Sequence, residues 1–341
     1  MITKFEVENF KCFKNFKIEG LSKINIITGD NNVGKSVLLE AIHLNINAQQ
    51  PIDIGSAIFD ILSNRNLITS KYDKMSSLLY KNEKKLTVSS NFSSFSIEIK
   101  MGKELTEDEK NRLLEEYKKN LDFQNMQFII LDMNNGYEIL PLYEMNNLLP
   151  EILNNNNYRV PSNILVSSNK SYSNSLKFPY EEIISLFKEE ELLKKLKIFN
   201  SDIQKLNVIN DMLQVKVTYL ESYIPIDELG DGFIRILDIL MSLIVSKNKI
   251  ILIDELENGI YYKKLYSFWK VIIEIMKDEE IQLFVTTHDK ESIEALNRAS
   301  EDMEFIDITS LELYKKEDTI YPIIRKYNSF NTTVASGMDV R

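Results

Sequence analysis

Hydrophobic and polar positions alternate at the start of the chain, where Phe5 and Val7 stand between Lys4, Glu6 and Glu8, and this period of two predicts a strand. Phe16-Lys17-Ile18 repeats the pattern, and the run Ile24 to Thr28 predicts a third, buried strand. The period then lengthens. Val37, Leu38, Ala41, Ile42 and Leu44 fall on one face of a helix, so the opening of the chain reads as three strands, a glycine-flanked loop and a helix.

The middle of the chain follows another pattern. Phe95, Ile97 and Ile99 alternate with polar residues as in an antiparallel strand, Leu105 to Tyr117 is a charged amphipathic helix, and Phe128 to Leu131 is a further apolar strand. Asn154 to Asn157 and Ser167 to Ser175 read as loops, and Ile183 to Leu196 reads as one more amphipathic helix. The last third returns to short apolar runs separated by helices: Ile250 to Ile253, a helix over about Tyr262 to Met276, the strand Gln282 to Thr286, and a helix from near Glu291. Such runs are what a parallel sheet covered on both faces requires. The expected division is 1–46 as the first part of an α/β domain, 47–205 as an inserted α+β region, and 206–341 as the remainder of the domain. Neither an internal repeat nor a sustained heptad pattern interrupts this scheme.

Composition narrows the picture. A chain of 341 residues exceeds the roughly 100–200 of one domain, which suits a core carrying a large insertion. Cys12 is the sole cysteine, so an intramolecular disulfide and a cysteine-based zinc site are both excluded, and a reducing compartment fits. The start, Met1-Ile2-Thr3-Lys4-Phe5-Glu6, lacks the apolar run of a signal peptide, and no uncharged stretch approaches the roughly 20 residues of a membrane span. A cytoplasmic protein without a membrane partner is expected. The formal net charge of −10 argues against a surface that is basic all round, leaving only a local basic patch for nucleic acid.

Two motifs carry the chemistry. Gly29-Asp30-Asn31-Asn32-Val33-Gly34-Lys35-Ser36 fits the phosphate-loop pattern and lies between a predicted strand and a predicted helix, which is the context that gives the pattern meaning. Its glycines let backbone amides wrap phosphates, Lys35 offers charge to the β and γ phosphates, Ser36 offers a hydroxyl to Mg²⁺, and the helix start adds its positive end. The second motif is Asp254-Glu255, directly after the apolar run Ile250 to Ile253. Alone, a strand ending in two acids is an ordinary solvated turn. Behind a phosphate loop it reads as a catalytic pair, because ligands of open α/β sheets bind beyond the carboxyl ends of the strands. Asp254 is then the residue for Mg²⁺ and Glu255 the one that orients or deprotonates the attacking water. Of the two histidines, His43 lies within the first helix and reads as a surface or packing residue, whereas His288 sits at a strand end, suited to donating to a phosphate oxygen while its other ring nitrogen is held.

Leu229-Gly230-Asp231-Gly232-Phe233, followed by a helix from Ile234 to Leu243, resembles the signature segment of ABC-type ATPases. The resemblance implies that this helix start caps the γ-phosphate held by a second subunit, with Gly230 standing where the family carries serine, so that backbone amides would make the contact. Glu257-Asn258-Gly259 resembles the loop that touches the partner subunit, and Thr287-His288 the switch histidine. Together with Asn9-Phe10-Lys11-Cys12-Phe13 and Ile253-Asp254-Glu255-Leu256-Glu257-Asn258-Gly259, these segments resemble the small bacterial ATPases related to the overcoming-lysogenization-defect (OLD) proteins, kin to chromosome-maintenance and recombination-repair ATPases. The resemblance covers about 1–45 and 205–300. It implies an α/β fold of the P-loop NTPase, ABC-ATPase type (a mixed β-sheet with flanking helices and an inserted α+β region), ATP and Mg²⁺ as cofactors, Lys11 near the phosphates, and a homodimer or higher oligomer closing on two ATP molecules. Only 53 residues follow His288 (341 − 288), so no Toprim nuclease domain is expected within the chain. A separate effector, a nuclease or toxin, gated by the ATPase in anti-phage defence, is the implied role. The alternatives are a DNA repair or structural ATPase that clamps a duplex, a transport ATPase, and an inactive nucleotide-holding scaffold.

Overall fold

The computed structural model describes residues 1–48, 50–65, 76–81, 83–117, 121–134, 136–142, 164–166, 176–245 and 250–337. The loops expected at Asn154 to Asn157 and Ser167 to Ser175 lie outside the described residues. The alternating start forms a hairpin of β1 (Lys4–Phe10) and β2 (Phe13–Glu19), in which Phe5 faces Ile18 and Val7 faces Phe16 across the strands. On the other side of β1 come β4 (Lys85–Ser90), β5 (Ser94–Met101), β6 (Gln127–Met133) and β7 (Gly136–Pro141), giving an antiparallel sheet in the order β2-β1-β4-β5-β6-β7.

The boundary expected at residue 46 therefore divides one sheet. Four strands from the 47–205 stretch pair onward from β1 because Phe5, Val7, Leu86, Val88, Phe95, Ile97, Ile129 and Leu131 point to one side and share a single buried cluster. The expectation of one helix over Ile183 to Leu196 is corrected. Two helices, α4 (Lys177–Ser185) and α5 (Glu189–Leu196), are broken at Phe187, whose φ is +56°. Ile183 and Leu192, nine positions apart, would lie on roughly opposite sides of a straight helix with 3.6 residues per turn. The break turns both into the same core.

β3 (Ile24–Gly29) enters a second sheet with β8 (Ile164–Val166), β12 (Ile250–Ile253), β13 (Gln282–Thr286), β14 (Ile308–Lys316) and β15 (Thr319–Lys326), ordered β15-β14-β3-β13-β12-β8. All neighbours are parallel except the β14–β15 hairpin, so the sheet is mixed, as expected. Successive residues serve opposite faces. Ile251, Ile253, Leu283 and Val285 join a core that includes Leu237, Leu240 and Ile244 of α6 (Asp231–Val245) and Phe268, Trp269 and Ile272 of α7 (Tyr262–Asp278). Ile250, Leu252, Phe284 and Leu311 join Leu38, Ala41 and Ile42 of α1 (Lys35–Asn47) and the inner face of the antiparallel sheet. Every residue of β12 is thus buried, which is why that strand reads as an unbroken apolar run. A small sheet of β11 (Ile224–Pro225), β10 (Met212–Val217) and β9 (Ile203–Ile209) leads into α6. Among the described residues, no helix is long and apolar enough to cross a membrane.

Candidate functional site

Because β3, β13 and β12 are parallel neighbours, the loops after them open on one edge of the sheet. That edge gathers Gly29 to Ser36, Asp254-Glu255 and Thr287-His288, distant in sequence, around a cleft of about 610 Å³.

The phosphate loop is shaped by its glycines. Gly29 has φ +132°, and a Cβ there would sit 2.3 Å from the carbonyl oxygen of Leu313; at Gly34, with φ +106°, it would sit 2.9 Å from Cys12 Sγ. Neither position tolerates a side chain. Asp30 and Asn31 are exposed, Asn32 holds φ +61°, and Val33 is buried and pins the loop to the core. Lys35 folds back to donate from Nζ to the carbonyls of Gly29 (2.8 Å) and Asp30 (2.9 Å). Burial pushes its pKa down against the pull of Glu255, Glu257 and Asp254. The first turn of α1 carries no side-chain cap and no acidic residue, so its amides remain available to an anion.

Asp254 is the hub. Its Oδ1 accepts from Ser36 Oγ at 2.9 Å and from Thr286 Oγ1 at 2.6 Å, and Thr286 Oγ1 in turn accepts the Glu255 amide at 2.8 Å. Burial raises the Asp254 carboxyl above the ordinary range; the two hydroxyls oppose that rise, while Glu255 and Glu40 add to it. Glu255 sits at φ +49°, lines the cleft, and receives Asn258 Nδ2 on Oε2 at 2.6 Å. His288 donates its backbone N–H to Glu257 Oε1 at 2.9 Å, and its Nδ1 lies 2.8 Å from the same oxygen.

Ser36 and Asp254 form a hard-oxygen set suited to Mg²⁺. Among the described residues no cluster of three or more His, Cys, Asp or Glu could hold a metal, so the protein offers few ligands. That is how Mg²⁺ is commonly held, with phosphates and water completing its shell.

At the signature-like segment, Leu229 is half-buried, Gly230 (φ +82°) and Asp231 are exposed, and α6 starts at Asp231. Gly232 packs on the turn after Glu255, where a Cβ would lie 2.1 Å from Gly259 O. Arg235 Nη2 donates to the Asp254 carbonyl at 2.7 Å, tying α6 to the acidic strand end.

Lys11, expected near the phosphates, is not among the residues that line the cleft. Its ammonium makes an ion pair with Glu40 of α1 at 2.7 Å, and Arg65 Nε reaches the other oxygen of the same carboxylate at 2.5 Å. A buried cation is costly unless paired, and burial lowers the Lys11 pKa despite Glu40. Arg65 lines the cleft instead. Sequence reasoning missed it, as well as Thr286, because no local pattern marks a lone arginine or a strand threonine. His43 is buried, with Nε2 3.3 Å from Asp60 Oδ2, so of the surface and packing roles left open for it the packing one fits.

Residues 24–294 match the family model described as "AAA domain, putative AbiEii toxin, Type IV TA system". The chain belongs to this AAA family. It is an ATPase of the AAA class with a P-loop fold of the ABC type. This AAA chain is similar to a protein named ATP/GTP phosphatase from Helicobacter pylori, 29% identical across 97% of the chain and 96% of the relative. It is also similar to structural maintenance of chromosomes protein 6 of Saccharomyces cerevisiae, 29% identical over 122 residues, 32% of this chain and 11% of that one. Among solved structures, an Smc head bound to the C-winged helix domain of ScpA superposes with a TM-score of 0.53 at 13% identity, covering 96% of this chain and 98% of that one, which speaks to fold alone.

Proposed function

We propose that the AAA chain binds Mg²⁺-ATP between its own phosphate loop and the α6 start of a second copy, and hydrolyses it there. Backbone amides from Gly29 to Gly34, with the side chains of Lys35 and Ser36, cradle the phosphates; Ser36 and Asp254 hold Mg²⁺; Glu255 takes the proton of the attacking water; His288 meets the γ-phosphate; Leu229 to Gly232 serve the partner's nucleotide. What carries the reading is the chain of contacts Ser36–Asp254–Thr286–Glu255, which sets a hydroxyl suited to a metal, a half-buried carboxylate and a second carboxylate on one edge beside Lys35. Mg²⁺, when bound, neutralises charge developing on the phosphates.

Lys35→Ala tests the cradle. Removing the ammonium weakens ATP binding by about 100-fold, roughly the loss of one charge-assisted contact to a phosphate, ~2–3 kcal/mol. Titration of a fluorescent ATP analogue checks this, and affinity equal to wild type would place the triphosphate elsewhere.

The further reading is that ATP-driven pairing gates a separate effector, a nuclease or toxin, in anti-phage defence of the OLD-related kind. The toxin–antitoxin wording of the family description supports a paired system. Purification with the product of the neighbouring gene, followed by mass and ATPase rate with and without DNA, tests it, and an isolated gene without an effector counts against it. The similarity to a chromosome-maintenance protein favours a second reading, an ATPase that closes on DNA. That version requires ATP-dependent DNA binding that weakens steeply with salt.

A further inference from the structure

The six-residue stretch from Glu255 to Ile260 does more than follow the acidic strand. It is a tight turn, closed by Asn258 N to Glu255 O (3.1 Å) and Ile260 N to Glu257 O (3.0 Å), with Gly259 at φ +81°. Two of its side chains reach back to the two residues to which the chemistry is assigned. Asn258 Nδ2 donates to Glu255 Oε2 at 2.6 Å, and Glu257 Oε1 receives both the backbone N–H and Nδ1 of His288. A carboxylate only accepts, so the amide nitrogen of Asn258 must face it, and Oε1 of Glu255 is left as the acceptor for water.

We infer that Asn258 and Glu257 are positioning residues of the ATPase, one fixing the rotamer of Glu255 and the other fixing the ring of His288. The inference rests on the proposed roles of Glu255 and His288. Glu255 needs such support. Its backbone is held in the left-handed region, uncommon for a residue with a side chain, and an unrestrained glutamate on an exposed turn samples many rotamers.

Glu257 gives independent support. Its side chain is largely buried, and its Oε2 finds no hydrogen-bond partner among the described residues. A buried, half-satisfied carboxylate is a poor choice for stability and wants a functional explanation. Here its one engaged oxygen keeps Nδ1 of His288 as a proton donor and leaves Nε2 for the cleft that His288 lines. The turn is kept in place from outside. The Gly259 carbonyl lies so close to Gly232 that a Cβ there would sit 2.1 Å away, so the start of α6 fixes the turn and the turn fixes both side chains.

The test uses steady-state ATP hydrolysis by the full chain. Asn258 is exposed, so Asn258→Ala leaves folding intact, checked by an unchanged melting temperature. With the carboxylate free to wander, kcat falls by about 100-fold while KM for ATP stays within about 2-fold, the split expected of a misplaced group rather than lost binding. Glu257→Gln keeps an acceptor for the His288 ring and retains most of the rate, whereas Glu257→Ala loses about 10-fold or more in kcat. A merely structural turn would lose rate and melting temperature together in all three variants, and that result overturns the inference. So does a wild-type kcat in Asn258→Ala when Glu255→Gln is inactive, an outcome that leaves the proposed function standing. If Glu255→Gln itself turns over normally, the assignment of the base fails, and this inference with it.

Discussion

Glu255→Gln lowers ATP hydrolysis by about 10³-fold, within the range that a positioned general base contributes. It leaves ATP binding intact and accumulates as an ATP-bound dimer. Glutamine keeps the size of the side chain and an oxygen for Asn258 Nδ2, so the cleft is unchanged except that nothing at this position can take a proton from water. Binding is untouched because the contacts proposed for the triphosphate come from the loop Gly29 to Ser36 and from Asp254. The dimer follows from the same logic: if ATP joins two copies and only hydrolysis releases them, blocking hydrolysis traps the pair. Phosphate release and light scattering with Mg²⁺-ATP check the two halves separately. Normal turnover would move the base elsewhere, and Asp254 is poorly placed to replace it, since its Oδ1 already receives Ser36 and Thr286.

How far the site was legible in the sequence depends on the distance over which each feature is encoded. The phosphate loop is local: Gly29 and Gly34 are needed for left-handed backbone and for close contact with Leu313 and Cys12, and the spacing between them announces it. The strands β3, β12 and β13 were legible because burial on both faces leaves a continuous apolar run. Pairing is not local. Val7 faces Val88 across the sheet, and nothing near either residue names the other, which is why the middle stretch read as an insertion although four of its strands extend the first sheet. Lys11 shows the same limit from the side of charge. Its surroundings in sequence suggested the phosphates, while its ion pair with the buried carboxylate of Glu40, on the helix after the loop, could be read only from coordinates. The helix break at Phe187 was hidden because a periodic pattern does not record a change of direction. The chemistry of the turn after Glu255 was half legible: the segment was noticed for its resemblance to a partner-contacting loop, while its grip on Glu255 and His288 needed coordinates.

Asp254→Asn separates what the carboxylate does for the reaction from what it does to the fold. Hydrolysis falls by about 10³-fold, because the charge that would hold Mg²⁺ against the phosphates is gone and electrostatic contacts of this type are worth that much in a closed site. Stability moves the other way. Burial raises the Asp254 carboxyl above its ordinary range, so the folded chain holds that proton more tightly than the unfolded chain does. For an acid with a raised folded value, the stabilising contribution is complete below the ordinary value near 3.9 and is lost as pH rises through the raised one. Above the raised value the fold therefore bears an ionised group whose burial costs it stability. Asparagine removes the charge and keeps an oxygen for Ser36 and Thr286, so the nucleotide-free variant melts about 2 °C or more above wild type at pH 7.5, and the gap narrows as pH falls toward the carboxylate range. Mg²⁺-ATP then stabilises wild type more than the variant, because only the metal-holding charge is lost while the phosphate loop is kept, and the gap between them closes. Melting curves at two pH values, each with and without Mg²⁺-ATP, read all of this. A variant that melts below wild type without nucleotide would show that the hydroxyl bonds to an ionised carboxylate outweigh its burial, and that Asp254 is held in place for stability instead of being kept ready for a metal.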